Sequence, residues 1–74
     1  MELVKNIASG KYFIVIDDDG GEAFMVITPE GKVKSLERHL FGSQVTVEMD
    51  GSETDRRLTK VQLDKYGEYE AFVD

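Results

Sequence analysis

Two unbroken apolar runs, Tyr12-Phe13-Ile14-Val15-Ile16 and Ala23-Phe24-Met25-Val26-Ile27, flank the polar segment Asp17-Asp18-Asp19-Gly20-Gly21-Glu22. Each run has strand length, is rich in β-branched and aromatic residues and is bounded by turn formers, so the unit predicts a β-hairpin. Strand side chains alternate between two faces, and neither run alternates with polar residues, so both faces of the hairpin need cover.

The flanking segments predict smaller elements. Leu3, Val4, Ile7 and Ala8 fall at the spacing of one helical face, which predicts a two-turn helix over 2–8, with an extended lead-in to the first strand as the alternative. Thr28-Pro29-Glu30-Gly31 predicts a tight turn, because proline pre-sets the first corner and glycine accepts a positive φ. Lys32-Val33-Lys34 reads as a short strand. Ser35 then caps a short helix carrying Leu36, His39 and Leu40, with Gly42 ending it. From Gln44 to Met49 the alternation of Val45, Val47 and Met49 with Thr46 and Glu48 predicts a half-buried strand.

The stretch 50–66 has two readings. Ser52-Glu53-Thr54-Asp55 resembles a capping box and would open a helix running to about Lys65. On a wheel of about 100° per residue, however, Leu58, Val61, Leu63 and Tyr66 scatter instead of forming one stripe. Thr59, Val61 and Leu63 alternate with Lys60, Gln62 and Asp64, and this favours a strand, followed by a turn and a last strand over 68–73. The expected fold is mainly β: a small antiparallel sheet or half-open barrel with one or two short helices, an α+β arrangement remaining open. Residues 1–74 read as a single small domain.

Composition narrows the functional classes. The chain has no cysteine, so neither a disulfide framework nor a thiolate metal site is available. No apolar run approaches the roughly 20 residues needed to cross a bilayer, and Met1-Glu2-Leu3-Val4-Lys5 lacks the basic start of a signal peptide. A soluble cytoplasmic protein without a membrane partner is the expectation. The formal charge of −6 opposes bulk attraction to nucleic acid. With 32% charged residues and side-chain amides only at Asn6, Gln44 and Gln62, the composition leans toward a thermophilic source.

Three constellations bear chemistry. Asp17, Asp19 and Glu22 could weakly supply hard oxygens to a divalent cation, although their spacing departs from the EF-hand and a charged hairpin tip is the favoured explanation. Lys32, Lys34, Arg38, Arg56, Arg57 and Lys60 form two basic groups that could track a phosphate backbone, but no aromatic platform lies within either segment. Phe72, opposite Tyr69, Ala71 and Val73 on a regular last strand, would stand on the outer face as a partner anchor. His39 is the only histidine, no nucleophile elbow or phosphate-binding glycine motif is present, and no cofactor is expected.

The leading expectation is therefore a non-enzymatic interaction module that associates through an apolar sheet face or a strand edge. Its partner would be another protein or a second copy, the latter favoured because the two apolar strands exceed what one layer of chain readily covers. A small nucleic-acid-binding barrel and a weak divalent-cation binder are the alternatives.

Overall fold

The computed structural model describes residues 1–47 and 54–72. Among these residues five strands form one antiparallel sheet: β1 (Glu2–Asn6), β2 (Tyr12–Asp17), β3 (Ala23–Ile27), β4 (Val33–Glu37) and β5 (Phe41–Thr46), in the order β4-β3-β2-β1-β5. Two helices follow, α1 (Thr54–Arg57) and α2 (Lys60–Phe72). The fold is mainly β and its sheet is not closed.

The central hairpin lies where the apolar runs place it, with Ile14 opposite Ile27 and Val15 opposite Val26. The 28–31 turn also forms as expected: the Gly31 N–H donates to the Thr28 carbonyl at 2.8 Å, and Gly31 has φ +82°. Thr28, itself buried, accepts the Lys32 N–H on its hydroxyl at 3.1 Å.

A strand replaces the helix read over 2–8. Leu3 and Val4 are both buried but point to opposite faces of the sheet, so their adjacency combined with Ile7 mimics a helical stripe. Ile7 is exposed and sits in the β1–β2 turn, where the Asn6 carboxamide oxygen accepts the Ser9 N–H at 2.9 Å and Gly10 takes φ +72°.

The helix expected from Ser35 is likewise strand: β4 runs through Ser35 to Glu37, and only Arg38–Leu40 form a single 3-10 turn. Gly42 lies inside β5, which begins three residues earlier than the alternation over 44–49 suggests. Val45 in β5 is exposed instead of inward, Val47, just past the strand, packs against the core, and Met49 is outside the described residues.

The strands read over 59–63 and 68–73 are replaced by α2. Its inward stripe is Gln62, Leu63, Tyr66 and Tyr69, which fall within a third of a turn of one another on the wheel. The periodicity was hidden because the stripe contains a buried amide, Gln62, while Val61 faces solvent. Gln62 and Thr59 form the capping box that opens α2: the Gln62 N–H donates to Thr59 Oγ1, and the Thr59 N–H donates to Gln62 Oε1, each at 3.2 Å. Gln62 Nε2 also donates to the carbonyls of Tyr12 at 2.9 Å and Ile27 at 3.0 Å, so one amide ties the helix to both central strands. Continuing the Ile14–Ile27 register brings Tyr12 opposite Pro29, which has no N–H, and Gln62 supplies the missing donor.

Both faces of the hairpin are covered within one chain. On the first face Leu3, Ile14 and Ile27 pack with Leu58, Leu63 and Tyr66 from the helical segment. On the second face Val4, Phe24, Val26 and Phe41 are buried, and among the described residues none from α1 or α2 packs on them.

Curvature explains the second core. A flat sheet would hold β4 and β5 about 19 Å apart, four spacings of about 4.8 Å. The chain from Glu37 to Phe41 spans at most about 14 Å fully extended, and less in a 3-10 turn, so the sheet must curl to bring its edges together. Register shifts between Val15 and Asp17 in β2 and between Val4 and Asn6 in β1 add local twist to that curl. Within one chain, cover for the hairpin comes from α2 on one face and from curling on the other, with Phe13, Val15, Ile16 and Met25 left half-buried.

Candidate functional site

The acidic β2–β3 loop is organised around Asp18. Its carboxylate takes a bidentate pair from Arg38, with Nη1 to Oδ2 at 3.0 Å and Nη2 to Oδ1, and Oδ1 also accepts the Gly20 N–H at 2.9 Å. The Arg38 guanidinium beside it, and then the Gly20 N–H, hold Asp18 down to a pKa of about 2. Arg38 also donates Nε–H to the Gly21 carbonyl at 3.0 Å and its backbone N–H to the Glu22 carbonyl at 2.7 Å, and its guanidinium lies 4.9 Å from the Phe24 ring centroid. The Phe24 ring meets Phe41 at 5.4 Å, and Phe41 meets Phe13 edge-on at 5.1 Å. Arg38, a nucleic-acid candidate on sequence, is therefore a clamp between the 3-10 turn, the hairpin tip and the aromatic core.

Asp17, Asp19 and Glu22 border one hollow of about 320 Å³ beside Phe24 and Ser35. Asp19 Oδ1 accepts the Gly21 N–H at 2.9 Å. Among the described residues no three carboxylate or histidine side chains are grouped so as to hold a metal ion. His39 is exposed on the 3-10 turn, with Nδ1 3.1 Å from Glu37 Oε2.

The six basic candidates do not share one surface. Lys32 and Lys34 are exposed on the β3–β4 unit, Lys60 is exposed at the start of α2, and Arg38 is engaged as described. Arg56 and Arg57 instead line a hollow of about 420 Å³ with Gly10, Lys11, Tyr12, Pro29, Glu30 and Thr59. The Arg57 guanidinium carbon lies 5.8 Å from the Tyr12 ring centroid, and Lys5 Nζ lies 5.9 Å from it. Thus Tyr12, remote from both basic segments in sequence, is folded against Arg57. Lys5 reaches the ring because β1 pairs with β2 and sets Lys5 opposite Tyr12. That pairing follows from the 6–11 turn once residues 2–6 are read as a strand, a signal that the helical reading concealed.

The two sheet edges differ in chemistry. β4 exposes Lys34 and Glu37 along its length, the charged protection usual on a free edge. In β5, Gly42, Ser43, Gln44, Val45 and Thr46 are all exposed, and the strand holds no charged residue and no proline. Met1 and Val47 exchange backbone hydrogen bonds, N–H to carbonyl, at 2.9 and 3.1 Å, so ladder alternation turns the backbone groups of Gln44 and Thr46 outward. Their side chains are held on the inner side by Glu2, which accepts from Thr46 Oγ1 at 2.6 Å and from Gln44 Nε2 at 3.1 Å. These two bonds, Thr46 first, lower the Glu2 pKa.

Phe72 ends α2, and its side chain is outside the described residues. The strand alternation that set it apart from Tyr69 and Ala71 does not exist. No protein-family model, curated protein or solved structure matches this chain. In keeping with the absence of an apolar run, no helix among the described residues is long and apolar enough to cross a membrane.

Proposed function

We propose that this chain is a non-catalytic interaction module that associates edge to edge through β5, the occupant being β5 of a second copy. The observation that carries the reading is the contrast between a charged β4 edge and an exposed, neutral, proline-free β5 edge. An unprotected edge is a template for strand addition. Two-fold antiparallel pairing centred on Val45 sets Val45 against its own copy and Gln44 against Thr46, so no like charges meet and a β-branched pair packs across the junction.

A single six-residue strand buries far less than the roughly 800 Å² per partner of a standard interface, so the association is weak and concentration-dependent. The net charge of −6 on each copy opposes it, and salt relieves that repulsion. Sedimentation equilibrium over a wide concentration range at low and high salt tests the reading. A reversible dimer that strengthens with salt and disappears in Val45→Lys is expected. A strictly monomeric mass up to millimolar concentration, or a dimer untouched by Val45→Lys, rejects it.

A further inference from the structure

We propose that the hollow beside Tyr12 is a binding site for a phosphorylated small molecule bearing a planar ring, of mononucleotide size. Three of the chain's nine basic residues, Lys11, Arg56 and Arg57, line it in a protein of net charge −6, and a fourth, Lys5, reaches the Tyr12 ring. Among the described residues Glu30 is the single carboxylate that lines it. Among the described residues none of the four cations is in an ion pair. Like charges brought together in this way repel, and a bound anion relieves that repulsion.

The shape of the site supports the choice of ligand. Its volume of about 420 Å³ lies in the range of small-molecule pockets, which run from about 300 to 1,000 Å³. Arginine forks match phosphate oxygens bidentately, and Arg56 and Arg57 are both exposed and so need little desolvation to engage. The half-buried Tyr12 ring and Pro29 give an apolar wall against which a planar group can rest. The framework is built before any ligand arrives: Thr59 Oγ1 donates to the Pro29 carbonyl, and the Gln62 amide holds the Tyr12 carbonyl, so helix, turn and strand are locked around the hollow.

The test is an amide-resolved NMR titration of the full chain with adenosine monophosphate, adenosine, inorganic phosphate and a short single-stranded oligonucleotide at low salt. Saturable shifts with the monophosphate, centred on residues 10–12 and 56–59 and much weaker with adenosine or phosphate alone, are expected. Arg57→Gln should weaken binding at least about tenfold, the loss of one charge-assisted hydrogen bond. Arg56→Gln and Lys11→Gln provide independent variants at exposed positions. An oligonucleotide that binds no more tightly than the monophosphate per site identifies a free nucleotide, and one that binds more than about tenfold more tightly identifies a nucleic-acid phosphate as the source. Absence of saturable shifts at millimolar ligand, or unchanged affinity in all three variants, overturns the proposal.

Discussion

The two faces of the sheet are buried by different means. The first is roofed by α2 and depends on contacts between residues far apart in sequence, fastened by the Gln62 amide to the Tyr12 and Ile27 carbonyls. The second is roofed by the sheet itself, and its contents are the Phe13, Phe24 and Phe41 rings with Arg38 laid over Phe24. One face therefore relies on a polar fastener under an added layer, the other on aromatic volume inside a curve. The two should respond differently to the loss of a single group.

The largest effect is expected on the curled face. Phe24 is 3% exposed and contacts both Phe41 and Arg38. Phe24→Ala removes a ring from a space that the sheet cannot readily collapse, at about 3–5 kcal/mol, against a total stability of about 5–15 kcal/mol for domains of this kind. Urea denaturation should show a single transition moved to much lower midpoint, with strand and helix lost together. Separate transitions for strand and helix would break the picture of one cooperative unit.

On the helix face the sharper test is polar. Gln62→Leu keeps side-chain volume but leaves the Tyr12 carbonyl and the Thr59 N–H without their partner, and also dissolves the capping box. A cost of about 3 kcal/mol follows from the desolvated groups. Hydrogen exchange should report it first in α2, whereas β2 and β3 keep their protection. If the variant is as stable as the parent, the amide is not the fastener.

A third, smaller effect comes from the turn on which α2 rests. A Cβ on Gly31 would stand 2.3 Å from Val61 Cγ1 and 3.1 Å from the Val61 carbonyl oxygen, and its φ of +82° is disfavoured for other residues. Gly31→Ala should cost about 2 kcal/mol and raise exchange at the start of α2, with β5 unaffected.

The same contrast explains what could be read from the chain before its structure. The β2–β3 hairpin and the 28–31 turn were legible because their determinants are local: two apolar runs, the Asp-Gly-Gly tip and Pro29-Glu30-Gly31. The helix was not, because its buried stripe includes Gln62 and its solvent side includes Val61, an inversion that only the waiting strand carbonyls explain. β1 was obscured by serving two cores at once through Leu3 and Val4. Among the site residues, Arg56 and Arg57 stood out by charge, but their neighbours Tyr12, Lys5 and Lys11 belong to the other end of the chain and arrive only through the fold. Asp18, the carboxylate that matters to the hairpin tip, is indistinguishable in sequence from Asp17 and Asp19 until Arg38 reaches it.

The smallest expected effect assigns a pH limit to each face. On the curled side, Asp18 is lowered from 3.8 to about 2 by Arg38 and the Gly20 N–H. The unfolded chain therefore binds this proton more readily than the native one. Stabilisation by Asp18 is complete above its unfolded value and is lost as pH falls from 3.8 toward 2. Glu2, lowered by Thr46 and Gln44, adds a similar acid limb starting from 4.5. On the helix side, Tyr66 is raised from 10 to about 12, first by burial and then by its hydrogen bond to Glu70. Its contribution is complete below 10 and is lost as pH rises toward 12. Thermal melts across pH should therefore show Asp18→Asn below the parent at neutral pH and converging with it near pH 2, with Glu2 common to both curves. Tyr66→Phe should flatten only the alkaline limb. A parent curve whose acid limb persists unchanged in Asp18→Asn would remove the Arg38 clamp from the account of the curled face, and a Tyr66→Phe variant as base-labile as the parent would do the same for the buried tyrosine under α2.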